Sequence, residues 1–423
     1  MYNDRTRLKM KHILFILLIG FSGNVFGGEY NWPLGLNKYQ EKPLSSTFME
    51  YRNGPLHYHG GIDMLPIDSN PEEWKVYSVV DGPLDSWGNH GQEDEFLNHA
   101  GFTFIHLNRN TLLFEGAWIP TDGYLGDVKP NMTFPHLHFE EGGVFYGYRY
   151  NPLDCNFGVE PYTTDNQQPN IEDFSFYRQG SSAALSNWNL DGDVDIRVQC
   201  YDPFTNPGNP SNPYQGGVYR LGYQIKTPSG VSLTISPNWN IIFDQWTTNN
   251  GFGIVWESDN NIWVSNYLNP NSGQAVNEYW DTQLIRNGNY QMCVLASDLN
   301  CEPNEREYCE DISVSNPAQI KTSDIQNADE TWYGEVLVFG HFDSNLNRNV
   351  LRVKNSSLTL SDWSRITIAA DVWVIFESNS VLWQSSMPSL IWSPAQKLLS
   401  NPAQRAISHP AISSSPAPVL AFI

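Results

Sequence analysis

Residues 135–140 read PHLHFE. In an extended chain successive side chains point to opposite faces, so His136 and His138 project together while Leu137 and Phe139 turn the other way, toward a core. Upstream, residues 101–107 read GFTFIHL, an alternating run that sets Phe102, Phe104 and His106 on one face. Similar short runs recur along the chain, among them WKVYSVV (74–80), GVYRLGYQI (217–225), YQMCVLAS (290–297), GEVLVFG (334–340) and DVWVIFE (371–377). Gly, Pro, Asn and Asp punctuate them, and helical periodicity is hard to find anywhere. The pattern predicts an all-β protein built from many short strands.

A chain of 423 residues exceeds what one hydrophobic core usually organises. Lys9 and Lys11, an apolar run from Ile13 to Phe21, and small residues up to Gly27 have the layout of a secretory signal, so residues 1–27 are set apart and a secreted or periplasmic protein is expected. A first domain is expected over 28–160. The Pro- and Asn-rich stretch YTTDNQQPNIED then reads as a linker. Residues 171–317 suggest a β-sandwich of immunoglobulin or fibronectin type, with Asn287-Gly288 joining a late strand pair. Residues 318–393 form a β-rich segment whose spacing suits either a small sandwich or a few rungs of a solenoid. The Ser-, Pro- and Ala-rich tail, 394–423, has the composition of a disordered segment.

The formal net charge of -22 argues against nucleic acid or an anionic membrane as partner. No stretch of the mature sequence is long and apolar enough for a membrane span. Five cysteines permit at most two internal bridges, and Cys301 and Cys309, with seven residues between them, can close a small loop. Eleven of the fifteen tryptophans lie beyond residue 180, which suits core packing or a carbohydrate- or protein-contacting surface on the C-terminal β-domains. Asp191, Asp193 and Asp195 alternate as in a calcium loop but lack its glycine and distal glutamate, so they read as a turn entering a strand.

Residues 57–64, HYHGGIDM, bring His59 and Asp63 within four positions, with Gly60 and Gly61 giving the backbone freedom to turn between them. Catalytic zinc takes three protein ligands from histidine and carboxylate and keeps a fourth corner for water. One imidazole of PHLHFE can complete such a set, and its neighbour then stands where a general base is needed. His106 can flank the site from an adjacent strand, with His90 and His99 as alternatives for that place.

The string SSTFMEYRNGPLHYHGGIDM (45–64), followed by VYSVVDG (76–82) and PHLHFE, resembles the lysostaphin/LytM-type zinc endopeptidases over residues 44–153. The resemblance implies a small antiparallel β-fold with an open groove and one Zn2+ per chain held by His59, Asp63 and His138. It implies His136 and His106 as the catalytic histidines and a peptide of peptidoglycan, cut next to glycine or a D-amino acid, as substrate. Phe134 stands where the family has glycine before Pro-His, which narrows the groove. Two other functions suit the same residues: cleavage of glycine-rich extracellular protein, and a non-catalytic wall-binding or regulatory protein that keeps the fold and the metal.

Overall fold

A computed structural model describes residues 30–422 apart from 53–56, 68, 90–94, 155–157, 160–166, 205–210, 212, 234–238, 247–251, 259, 271, 299–303, 371, 378, 385–388, 393–397 and 401–420. The expected signal segment, His90, Cys155 and Cys301 lie outside the described residues. The chain is all-β, and Phe252–Val255 is the single α-helical turn among the described residues.

In the first unit the strands Leu44–Ser46, Ile62–Met64, Leu137–Gly143, Phe102–Ile105, Glu95–His99 and Gly82–Asn89 lie side by side in that order, every pair antiparallel. The alternation reads as a two-faced sheet. Leu137, Phe139, Phe102, Phe104 and Leu97 are buried in one core, where the Phe139 ring lies 5.7 Å from Phe102 and 5.3 Å from Phe104. A smaller sheet of Lys75–Tyr77, Tyr124–Val128 and Leu107–Arg109 closes that core with Val76, Leu107, Leu125 and Val128. Each large apolar side chain removed from water here is worth about 1.5–3 kcal/mol. The opposite face of the main sheet is left to Asp63, His138 and Glu140.

The second unit packs the sheet of Asn170–Arg178, Asp193–Phe204 and Asn261–Trp263 against that of Arg220–Lys226, Gly288–Ser297 and Glu305–Val314. Phe174, Phe176, Val194, Ile196 and Val198 from one meet Leu221, Ile225, Met292, Val294 and Ile312 from the other. Of the tryptophans beyond residue 180, Trp246, Trp256, Trp280 and Trp332 are buried, Trp188, Trp239, Trp263, Trp363 and Trp373 are half-buried, and Trp383 is exposed. Asn287-Gly288 does not join a strand pair. Trp280–Asp281 pairs with the 193–204 strand in one sheet and Gly288–Ser297 lies in the other, because the Asn287 side chain is committed to the backbone of Asn316 (2.7 and 2.9 Å). The disulfide also differs from expectation: Cys309 bonds Cys293, its direct opposite across the 288–297/305–314 pair, and not Cys301. Cys200 is a buried free thiol.

The third unit is a solenoid. Strands 319–321, 335–338, 365–368 and 389–392 stack in parallel on one side, 325–326, 348–354, 372–376 and 398–400 on a second, and 330–332, 357–360 and 381–384 on a third. Asn327, Asn355 and Asn379 turn the corner of successive rungs in the left-handed conformation that asparagine tolerates, and their amides bridge along the stack (3.2 and 3.5 Å). Within the tail that composition marks as disordered, Leu398–Ser400 continues the second side and Ala421–Phe422 pairs with it; the rest lies outside the described residues.

The first two units share a segment. Phe48, Met49, Tyr51 and Tyr58, which directly precede His59, are buried in the core of the second unit, Tyr58 against Trp246 (5.6 Å) and Tyr51 against Trp256 (6.3 Å).

Candidate metal centre

Asp63 lies on the Ile62–Met64 strand directly opposite His138 on Leu137–Gly143, so strand register alone sets these two side chains together. His59 enters four residues earlier, its backbone held to Glu50 and Met49 by hydrogen bonds of 2.8 Å each. Gly60 and Gly61 serve close approach and not a tight turn: neither has a left-handed φ, but a Cβ on Gly61 would lie 2.1 Å from the carbonyl oxygen of Phe139.

Three atoms converge. His59 Nε2 is 3.0 Å from Asp63 Oδ1 and 2.8 Å from His138 Nδ1, and His138 Nδ1 is 2.8 Å from the same carboxylate oxygen. All three residues are buried. The far nitrogens of both rings face acceptors: His59 Nδ1 donates to the carbonyl of Thr47 (2.6 Å) and His138 Nε2 to Glu140 Oε1 (3.2 Å). Those bonds turn the lone pairs of His59 Nε2 and His138 Nδ1 inward, onto Asp63. Arg52 takes the other carboxylate oxygen, Oδ2, at 2.7 Å.

Three acceptors this close require a shared cation. With a proton, the electrostatics divide unevenly. Burial would depress His138, yet its bonds to Asp63 and Glu140 overcome that and push it up to about 9. Burial pulls His59 down to about 4 against the pull of Asp63. Burial would raise Asp63, but the imidazoles hold it well below the usual carboxylate range. The donor set also fits zinc: two imidazole nitrogens and one carboxylate oxygen, set a few tenths of an ångström tighter than the ~3.3 Å edge of a tetrahedron with 2.0–2.1 Å bonds. A consequence is testable. The raised pKa keeps a proton on His138 at about pH 7.5 that would have to leave if a metal were held here, so zinc binding to chelator-stripped protein should release about one proton per site. The release fades as pH rises through about 9, where the proton is already gone. Calorimetric heats that do not change among buffers of different ionisation enthalpy at about pH 7.5 would refute this.

The other histidines gather beside this set. His136 Nε2 is 3.5 Å from Asp63 Oδ1, and its Nδ1 is held by the carbonyl of Phe134 at 2.8 Å. The His106 ring lies 4.6 Å from that of His136 and 6.2 Å from that of His138. It arrives there differently from the sequence expectation. Phe102 and Phe104 face the core, and His106 does not share their face: a left-handed φ of 70° at His106 ends the alternation and swings the ring to the metal-centre side. His99, the described alternative, is fully buried and bonded to Ser78 Oγ, Pro83 O and Val80 O, so it belongs to the core. Phe134 is capped by Tyr214 of the second unit, ring centroids 6.0 Å apart. Asp191 pairs with Arg178, and Asp195 accepts from the backbone N–H of Gly180.

Arg52, Thr47 and Glu140 escape a reading by motif alone. Glu140 has a sequence signal, since it stands two residues beyond His138 on the same strand face.

No helix among the described residues is long and apolar enough to cross a membrane. No protein-family model matches the chain, and no curated protein matches it. Among solved structures the chain is similar to Helicobacter pylori Csd3, at 19% sequence identity and a TM-score of 0.23, over 32% of this chain and 36% of that one.

Proposed function

We propose that this protein is an exported zinc-dependent endopeptidase that hydrolyses peptide bonds in peptidoglycan cross-links, with residues 28–160 carrying the chemistry and the two later units in accessory roles. The observation that carries the reading is the convergence of His59 Nε2, Asp63 Oδ1 and His138 Nδ1 within 3.0 Å of one another, with two further imidazoles beside them. The motif resemblance over residues 44–153 and the disulfide, which suits an oxidising compartment, support it.

His59, Asp63 and His138 would hold a zinc ion, which would supply Lewis acidity toward a scissile carbonyl and lower the pKa of water toward neutral. The chain's own groups do the rest. Thr47 and Glu140 keep both ligand rings in the tautomer that presents a lone pair. Arg52 holds Asp63 Oδ2 and so leaves Oδ1 to the histidines. His136, oriented by the Phe134 carbonyl, takes a proton from the attacking water and returns it to the leaving amine. His106 beside it stabilises the negative charge that develops on the carbonyl oxygen.

Purified mature protein should contain about one zinc per chain, and the His59→Ala and His138→Ala variants should lose it together with activity. Digests of peptidoglycan and of an elastin-like polypeptide, read by mass spectrometry, separate the alternatives. Soluble muropeptides support the wall substrate. Cleavage of the polypeptide alone moves the reading to glycine-rich extracellular protein, which the charge of -22 also suits. Binding to insoluble wall without release of fragments makes the protein a non-catalytic wall binder.

A further inference from the structure

A pocket of about 490 Å³ opens beside His106 and His138 on the metal-centre face of the first unit's sheet. Its size lies in the range of small-ligand sites. Phe96, Ile105, Val144 and Phe145 supply apolar wall, and Val144 and Phe145 stand at its exposed rim.

The polar groups of the pocket are almost all committed to one another. Asn98 donates to Ser86 Oγ (2.8 Å) and accepts from Thr103 Oγ1 (2.7 Å). Glu140 is engaged by His138 and by Arg149 Nε (3.1 Å). Arg149 is the exception. Its Nε is fixed by Glu140, its guanidinium lies over the Trp246 ring at 4.5 Å, and its two terminal nitrogens have no hydrogen-bond partner among the described residues. The side chain is only 15% exposed. A guanidinium held at one edge and along one face keeps its outer fork fixed, so little rotamer entropy remains to be lost when a planar anion binds.

The backbone is shaped around this arginine. A Cβ on Gly60 would lie 2.5 Å from both Arg149 Nε and Glu140 Oε1, so the glycine next to His59 makes room for the pair. The charge also balances locally, Arg149 against Glu140 and Arg52 against Asp63, in a chain whose net charge of -22 would otherwise repel an acid.

We propose that this pocket is a specificity subsite for a substrate residue bearing a free carboxylate, received by the terminal nitrogens of Arg149. The proposal rests on the peptidase reading of the neighbouring centre. Two sources of the carboxylate share this chemistry, an acidic side chain near the scissile bond and the C-terminus of a short peptide.

Zinc-loaded full-length His136→Ala protein, in which cleavage should be slowed about 10²- to 10⁴-fold, is titrated with two pairs of glycine-containing peptides: Glu against Gln beside the scissile glycine, and C-terminal acid against C-terminal amide. The acidic member of one pair should bind about 10- to 100-fold tighter, as expected for a charge-assisted hydrogen bond. The pair that shows the difference identifies the source. Adding Arg149→Gln should abolish that difference, and Arg149→Lys should restore part of it. Equal affinities within both pairs overturn the proposal, as does a preference that survives Arg149→Gln. Should Arg149→Gln fail to fold, the parent's acid-against-amide comparison and Arg149→Lys still decide. Cleavage of the same peptides by the parent is scored separately: its absence counts against the peptidase reading, while the binding comparison stands by itself.

Discussion

On the proposed reading, alanine at position 136 should leave about one zinc per chain and slow peptide cleavage by about 10²- to 10⁴-fold, the usual contribution of a positioned acid–base group. The split between metal content and rate follows from geometry. His136 is outside the trio whose donor atoms lie within 3.0 Å of each other, yet its Nε2 is 3.5 Å from Asp63 Oδ1. Its Nδ1 is tied to the Phe134 carbonyl, so the ring cannot swing away and Nε2 stays turned toward the centre. Zinc content by atomic absorption, measured with kcat/KM on a muropeptide, checks both halves. Parent-like turnover would remove His136 from the chemistry, and loss of zinc would make it a ligand. In His106→Ala the rate should fall too, while the backbone strain stays, because alanine is no better suited than histidine to the left-handed conformation there.

Much of this centre is visible in the letters because it depends on strand periodicity. His136 and His138 share a face, Leu137 and Phe139 take the other, and a four-residue spacing carries His59 to Asp63. What the letters do not show depends on contacts between distant segments or on single backbone angles. One left-handed residue turns His106 away from Phe102 and Phe104, and no alternation pattern announces it. Asn287-Gly288 has the composition of a hairpin turn, but the tertiary bonds of Asn287 to Asn316 override that local preference. Cys309 pairs across a strand ladder with Cys293, a partner that linear spacing does not favour. The stacking of Asn327, Asn355 and Asn379 is different. Their recurrence at intervals of 28 and 24 residues is legible and points to a solenoid, but it stands out only once the rungs are aligned.

The metal centre is expected to fail when residues 28–160 are expressed alone. Phe48, Met49, Tyr51 and Tyr58 lie between the first strand and His59, and all four are buried in the core of the second unit. Removing that unit returns them to water at about 1.5–3 kcal/mol each, a sum comparable with the whole stability of an ordinary domain, about 5–15 kcal/mol. The loss falls on the site itself. Thr47, whose carbonyl orients His59, is held by Gly217 through bonds of 2.7 and 3.1 Å, and Arg149 loses the Trp246 ring that supports it. A chain ending at residue 317 keeps all these contacts and should bind zinc like the full-length protein, whereas 28–160 should bind it at least about 100-fold more weakly or aggregate, because outer-shell partners alone account for 10–100-fold in metal affinity. Competition titration against a zinc chelator, alongside circular dichroism, measures both fragments. Parent-like zinc affinity in 28–160 would mean that the second unit is a passenger, and that the segment before His59 holds its shape without the core in which it is buried.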